Sequence, residues 1–525
     1  MNHQEIIYGS SKQWTTHVSD VLVIGGGFSG LWAAIKASEA GGVSVNLVDK
    51  GYFGSTSHSF YAGGGMVVLM PEDNLDEWVE DIARANENIA DKEAIRAVLK
   101  NSYQRMKDYE AMGVCFPKVD GEYRRLRSRG VKKVKLLGSA DGGGKAMVVA
   151  LHKEAIRRGV SINNRIFIID LLLSPDGEIG GAIGVDIDDF QFHVFRARVT
   201  ILATNSGSFR GHHLASDQQG TGVFVAFEAG ATLRNAEFHY INIRPTRFEI
   251  EGSGIFPKFG ARWSNADNEY FMDKYAPEEK DHASNHRIVT AMAREALAGK
   301  APMGFDTPSL SEEGRRGFRE TMMSHGWMKL IYNKLRHDGI DFLREKIEWN
   351  AAYETNRVGI HTDLSGKAHG VERLYAAGMA RAFIPNMLTG FSIAYTTWSG
   401  YVAGEAVAGK VKEMDLPEID LQQILLKKEK FLQPLSRKGG TTPDDVVEKL
   451  QKAIFPANVL ILVKEEKLQA ALQEVKKISA ELVPQMTAPD LHELIKARET
   501  ETMLVAAELT LRASMLRKES RPAIF

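Results

Sequence analysis

The stretch Val21-Leu22-Val23-Ile24-Gly25-Gly26-Gly27-Phe28-Ser29-Gly30 constrains the fold more than any other part of this chain. An apolar run of strand type stops at three glycines and continues as the helical pattern Leu31-Trp32-Ala33-Ala34. A second apolar run, Val43 to Val48, then ends in Asp49-Lys50. This order predicts a βαβ unit that seats a dinucleotide. Gly25 permits the tight turn, Gly27 lets a pyrophosphate approach the backbone, and Gly30 lets helix and strand pack closely. The helix start offers free N–H groups and a positive dipole end to the phosphates. Asp49 stands where a carboxylate accepts a ribose hydroxyl. A glycine turn alone is weak evidence, but here strand, helix and acid agree.

With 525 residues the chain is too long for one core, so two to four domains are expected. Lys and Arg number 66 against 67 Asp and Glu, which leaves no global field to draw in nucleic acid or an anionic membrane. Cys115 is the single cysteine, which rules out a disulfide framework and an iron–sulfur cluster held by this chain's own cysteines. The first twenty residues are polar, and no uncharged apolar run has the length of a membrane span. A cytoplasmic protein with no direct membrane span is expected.

Residues up to about Val18 read as a loose arm. After the βαβ unit, Gly51 to Met66 is small, hydroxylic and glycine-rich, with Ser55, Thr56, Ser57, His58, Gly64 and Gly65. No regular period survives there, so it reads as a loop laid against a ligand. Asp76 to Met112 has the spacing of two surface helices. Val199 to Gly207 is a buried strand running into a small-residue turn, which makes Ala203 and Thr204 a second point of nucleotide contact. Gly220-Thr221-Gly222 opens another helix. From Phe238 to about Asn350 the alternation of strand and helix breaks down, as in an inserted domain. The dinucleotide-domain character returns at Val371 to Gly378, and the chain is mainly helical after Gly409. The expected domains are 18–237 with 352–412, an insertion over 238–351, and a helical domain over 413–525. The glycine motif alone allows NAD, NADP or FAD.

These motifs resemble the fumarate reductase/succinate dehydrogenase flavoprotein superfamily. The glycine motif with Asp49-Lys50, the Ser57-His58-Ser59…Gly64-Gly65 loop and Gly220-Thr221-Gly222 carry the resemblance. So does Ala507-Glu508-Leu509-Thr510-Leu511-Arg512-Ala513 with Glu519-Ser520-Arg521. The resemblance implies an α/β fold: a Rossmann-like FAD-binding domain, an inserted α+β capping domain and a C-terminal helical domain. It implies FAD contacts from Gly25, Gly27, Phe28, Ser29, Gly30, Asp49, Lys50, Ser55, Thr56, Ser57, His58, Gly64, Gly65, Ala203, Thr204, Thr221, Gly378, Met379, Ser392 and Ile393. His58 falls where membrane-bound members attach flavin covalently. The companion features of those enzymes are missing, so non-covalent FAD is favoured, with a link through His58 left open.

The departures bear on the substrate. The proton-delivering arginine of the dicarboxylate enzymes has no counterpart in Phe248 to Ile255. The arginine that grips a substrate carboxylate is Met387 here, and the family pattern His-Tyr-Thr-Met-Gly-Gly-Ile becomes Glu354-Thr355-Asn356-Arg357-Val358-Gly359-Ile360. Methionine cannot supply the bidentate donors that carboxylate recognition asks of arginine. Fumarate, succinate and L-aspartate are therefore disfavoured. Arg247-Phe248 and Gly260-Ala261-Arg262-Trp263 are distantly similar to the adenylylsulfate reductase α subunit, which points to a branch nearer that subunit than true fumarate reductases.

Arg247, His239 and Glu354 are the candidate catalytic residues: an arginine to hold an anionic substrate, and a histidine and an acid to handle a proton. The pair His212-His213 has no further ligands at metal spacing, and no metal is expected. The basic cluster Arg124 to Lys133 suits an acidic electron-transfer partner, recognition of a charged substrate or, by default, a solvated loop. The expected protein is an FAD-dependent oxidoreductase, a reductase or dehydrogenase moving a hydride or electron pair between a small substrate and flavin N5. A separate iron–sulfur or ferredoxin-like subunit is the expected electron partner. A self-contained oxidase using oxygen and an electron-relay subunit without its own substrate are the alternatives.

Overall fold

The computed structural model describes residues 14–521 apart from Gly54, Arg129, 139–141, 212–217, 249–255 and His325. The side chains of 324, 326–328 and 330 are likewise left aside. The His212-His213 pair, Arg129 in the basic cluster and the stretch expected to replace the family's proton-delivering arginine therefore lie outside the described residues.

Strand β1 (Thr15–Ile24) starts within the segment expected to be a loose arm, because it pairs in parallel from Thr15 onward with a long later strand. It leads through the glycine turn into α1 (Phe28–Glu39) and β2 (Val45–Val48). Two helices follow, as the spacing predicts. They are α2 (Leu75–Ala85), capped by Asn74, and α3 (Lys92–Ala111), capped by Asp91. A basic hairpin, β3 (Arg125–Arg127) and β4 (Lys135–Leu137), precedes α4 (Gly143–Arg157).

The main sheet is completed by β5 (Ser161–Asn163), β6 (Ile166–Leu173), β7 (Ile179–Asp186) and β8 (Phe192–Leu202). Its order is β5–β2–β1–β8–β7–β6. The β1, β2 and β5 pairings and that of β8 with β1 are parallel, whereas β6, β7 and β8 form an antiparallel ribbon. Helix α5 (Thr221–Glu228) then leads toward the insertion.

The insertion is a four-stranded antiparallel sheet, with β9 (His239–Pro245), β10 (Trp263–Ser264), β11 (Met303–Phe305) and β12 (Glu348–Asn356) in the order β9–β12–β11–β10. Helix α6 (Asn285–Leu297) packs on it. The cap has an aromatic core in which Trp263 stacks on Phe305 and Phe256 meets both Phe305 and Trp349. β12 stays paired with β9 as far as Asn356, past the boundary at 351 expected from the sequence.

The chain rejoins the main sheet as β13 (Leu374–Ala376), beside β8, and continues as α7 (Phe391–Ala408). The indole of Trp32 on α1 donates to the Tyr109 hydroxyl at 3.0 Å, and that hydroxyl meets Thr397 Oγ1 at 3.1 Å, which ties α1, α3 and α7 together. Helices α8 (Leu421–Ser436), α9 (Pro443–Ile454), α10 (Glu465–Glu481) and α11 (Leu491–Leu516) form the C-terminal layer. Arg498 of α11 binds Glu228 of α5 at 2.5 Å and so fastens this layer to the main sheet. Among the described residues, no helix is long and apolar enough to cross a membrane.

Candidate active site

One cavity of about 1630 Å³ runs from the glycine turn to the cap. That exceeds the roughly 300–1000 Å³ of an ordinary small-ligand site and leaves room for a dinucleotide together with a substrate. At one wall β1 ends in Gly25, whose φ of +108° and closeness to the Ala203 carbonyl (2.5 Å from an added Cβ) exclude a side chain. A Cβ on Gly30 would lie 1.7 Å from the Gly25 carbonyl oxygen. Asp49 closes the turn: its Oδ2 accepts the Gly26 N–H at 2.6 Å and its Oδ1 the Gly51 N–H at 2.7 Å.

Three helices, α1, α5 and α7, begin at this cavity behind Gly27, Gly220 and Gly390. None of these glycine caps supplies a side-chain acceptor, so positive helix ends are aimed into one space, although the Phe28 N–H of α1 is taken by Ser59 Oγ. The hydroxyls of Ser57, Thr204 and Thr221 line it too, buried and with no hydrogen-bond partner among the described residues. Buried polar atoms are rarely left without a partner. Open donors and orphaned hydroxyls fit the phosphates and polar ring edges of FAD.

The cap supplies the opposite wall through β9, the start of α6 and the end of β12. His239 Nε2 lies 2.7 Å from the Leu460 carbonyl oxygen, which can only accept, so Nε2 carries the proton. Burial pushes this imidazole down to about 4, and burial with His239 beside it does the same to His286. Both are neutral at pH 7. Glu354 Oε1 accepts from Arg244 Nε at 2.8 Å, from Arg244 Nη2 and from Asn242 Nδ2 at 3.0 Å.

Residues 20–387 match the FAD binding domain family, and 448–525 match the fumarate reductase flavoprotein C-terminal family. The chain is 26% identical to a subunit of the fumarate reductase (CoM/CoB) of Methanothermobacter marburgensis, over 96% of this chain and 93% of that protein. Its backbone is similar to Mycobacterium smegmatis Sdh1 in complex with UQ1 (TM-score 0.86, 21% identity, 97% and 88% of the two chains). It is also similar to the adenylylsulfate reductase of Archaeoglobus fulgidus (TM-score 0.78, 20% identity, 97% and 90%). The chain belongs to the fumarate reductase/succinate dehydrogenase flavoprotein superfamily. It is an FAD-dependent oxidoreductase.

Most FAD contacts expected from sequence line this flavoprotein's cavity: Gly25, Gly27, Phe28, Ser29, Asp49, Lys50, Thr56, Ser57, His58, Gly64 and Gly65 near the glycine turn, and Ala203, Thr204, Thr221, Met379, Ser392 and Ile393 beyond it. Three others stand back from it. Gly30 acts through its fit against Gly25, Gly378 packs against Ser29, and the exposed Ser55 donates to the Tyr52 carbonyl at 3.2 Å. His58 opens an exposed single turn at the cavity. Of the catalytic candidates, His239 and Glu354 line the cap wall. Arg247 sits on the exposed turn after β9 and is not among the lining residues.

The structure adds two features. Arg357 is a buried cation in the cap wall, visible in sequence only as a departure from the family pattern. Lys496 and Glu499 of α11 reach the cavity, where Arg210 bridges Glu499 at 2.9 Å and Asp444 at 3.0 Å. A residue so far along the chain from the glycine motif leaves no local signal.

Proposed function

We propose that this flavoprotein is the FAD-bearing unit of a reductase or dehydrogenase whose substrate is a small molecule other than fumarate or succinate. A separate iron–sulfur or ferredoxin-like protein exchanges electrons with it. FAD, once bound, supplies the hydride-accepting or hydride-donating centre, N5. The chain supplies place, exclusion of water and charge. One observation carries the substrate half of this reading: Met387, where a carboxylate fork would need donors, is part of the cavity wall.

His239 and Glu354 act in the proposal as positioning residues. His239 is engaged by the Leu460 carbonyl, and Glu354 is the counter-ion of Arg244. Arg247 has no catalytic part in this reading. FAD is held without a covalent bond, with His58 beside it. The electron-transfer half draws on the methanogen relative, which is one subunit of a larger enzyme. It also draws on the hairpin β3–β4, where Arg124, Arg127, Lys132 and Lys135 are exposed while the adjoining Leu136 touches the cavity. A basic face whose inner side reaches the cavity suits an acidic redox partner.

The test is anaerobic reduction of the purified protein, followed by exposure to air or to an oxidised ferredoxin. Slow reoxidation in air that the ferredoxin accelerates supports the proposal. Rapid reoxidation in air with stoichiometric peroxide replaces it with an oxidase. A flavin that no substrate class bleaches leaves an electron relay.

A further inference from the structure

A second cleft, of about 610 Å³, lies between α1, α3, α4 and α7 and shares no lining residue with the flavin cavity. Its size falls within the roughly 300–1000 Å³ of small-ligand sites. Five cations line it: Lys36 of α1, Arg105 of α3, and Lys153, Arg157 and Arg158 toward the end of α4. Only three carboxylates, Glu39, Asp108 and Glu154, stand among them. The lining therefore carries two positive charges more than its own acids cancel.

Each of those acids is already engaged. Glu154 accepts from Arg157 Nε and Nη2 at 2.7 Å each, and from Arg158 Nε at 2.6 Å. Glu39 is paired with Lys36 and, at 3.2 Å, with Arg158. Asp108 lies 2.8 Å from Arg105 Nε and takes the Gln104 amide at 3.0 Å. Lys153 is exposed and has no ion partner among the described residues.

Arg105 is the most buried charged group of the cleft, at 6% exposure. Its guanidinium carbon lies 3.6 Å from the centre of the Tyr401 ring and 5.8 Å from that of Trp32. Its Nη1 is buried and has no hydrogen-bond partner among the described residues. Aromatic faces offset part of the desolvation of a cation, yet they leave the in-plane N–H donors unmet. Buried polar atoms are rarely left in that condition. A guanidinium only donates, so whatever completes this cleft has to accept. With two surplus positive charges around it, that acceptor is an anion.

We propose that this cleft is a second ligand site, which takes a phosphate group, free or carried on a small ester. Such a group bears close to two negative charges above neutral pH and offers several acceptor oxygens on one compact centre. Its charge matches the surplus of the lining. Its oxygens meet donors from different helices, the Arg105 guanidinium on α3 and the Lys153 ammonium on α4.

The FAD-loaded full chain is titrated by calorimetry at pH 8 and constant ionic strength with inorganic phosphate, with glycerol phosphate and with glycerol. Saturable binding of a phosphate compound at about 10 mM or below is expected, and none of glycerol. Tighter binding of the ester than of inorganic phosphate assigns the site to a phosphorylated small molecule, and the reverse order assigns it to free phosphate. Arg105→Gln should weaken binding by about tenfold or more at unchanged FAD content. Lys153→Gln should weaken it by about fivefold. Lys476→Gln, on the exposed face of α10, removes the same charge elsewhere and should leave it unchanged. The proposal is overturned if neither phosphate compound binds, if glycerol binds as well as its ester, or if Lys476→Gln weakens binding as much as Lys153→Gln. Binding by the Arg105 variant within about twofold of the parent also overturns it. If that variant does not fold, Lys153→Gln decides by the same twofold limit.

Discussion

Arg244 Nε donates to Glu354 Oε1 at 2.8 Å across the two long strands of the cap sheet, in an ion pair whose arginine side chain is 2% exposed. Taking the carboxylate away removes a hydrogen-bonded counter-ion from an arginine in the interior, and the lost compensation of that buried charge then works against folding. Glu354→Ala should destabilise the FAD-loaded protein by about 3 kcal/mol, read as a shift of the urea midpoint. A shift below about 0.5 kcal/mol would mean that the charge of Arg244 is compensated without Glu354.

Acid should weaken the protein through two histidines. The unfolded chain titrates His239 and His286 near 6.5, whereas in the native state both are pushed down to about 4. Below 6.5 the unfolded state therefore takes up protons that the native state refuses. Stability is complete above that pH and declines as the pH falls toward 4, by up to about 3 kcal/mol for each group. Urea midpoints at pH 7 and pH 4.5 measure the loss. His239→Gln keeps a donor for the Leu460 carbonyl and should flatten part of the acid limb. An unchanged limb would place the titrating groups elsewhere.

The flavin should leave the protein when the fold is lost. After acid precipitation all of the yellow colour is expected in the supernatant, for the parent protein and for His58→Ala alike. Colour retained in the parent's pellet and released by the substitution would establish a histidyl bond.

Electron exchange with an acidic partner should depend on salt. The exposed cations of the β3–β4 hairpin act over about 10 Å at 0.1 M ionic strength. The rate with a ferredoxin should therefore fall as salt rises. Lys132→Glu combined with Lys135→Glu should slow it by about tenfold at low salt. The FAD content should stay unchanged. Equal rates for parent and variant would move the docking face elsewhere.

The cofactor end of the site was legible because its signals are local. A strand, a glycine turn, a helix and an acid lie within a few dozen residues, and their spacing is set by the ligand they hold. The cap end was not. In sequence Met387 and Arg357 stand as two separate departures from a family pattern that has arginine at the first position and methionine at the second. Only the fold brings both to one cavity. Arg247 misled for the opposite reason: its place just after a strand suggested a site-facing residue, and β9 ends just before it. The early start of β1 shows the same limit, since Thr15 and Thr16 are held in strand by β8, far along the chain, and not by their own pattern.

The bond from His239 to the Leu460 carbonyl joins the cap to the C-terminal layer, and α11 of that layer is fastened to α5 by Arg498 and Glu228. The cap is therefore latched from behind as well as seated on the cavity. Swinging it open to admit a ligand has to break the histidine bond or draw the helical layer along. The helical layer is in this sense part of the enclosure of the site, since its helix α11 also reaches the cavity through Lys496 and Glu499.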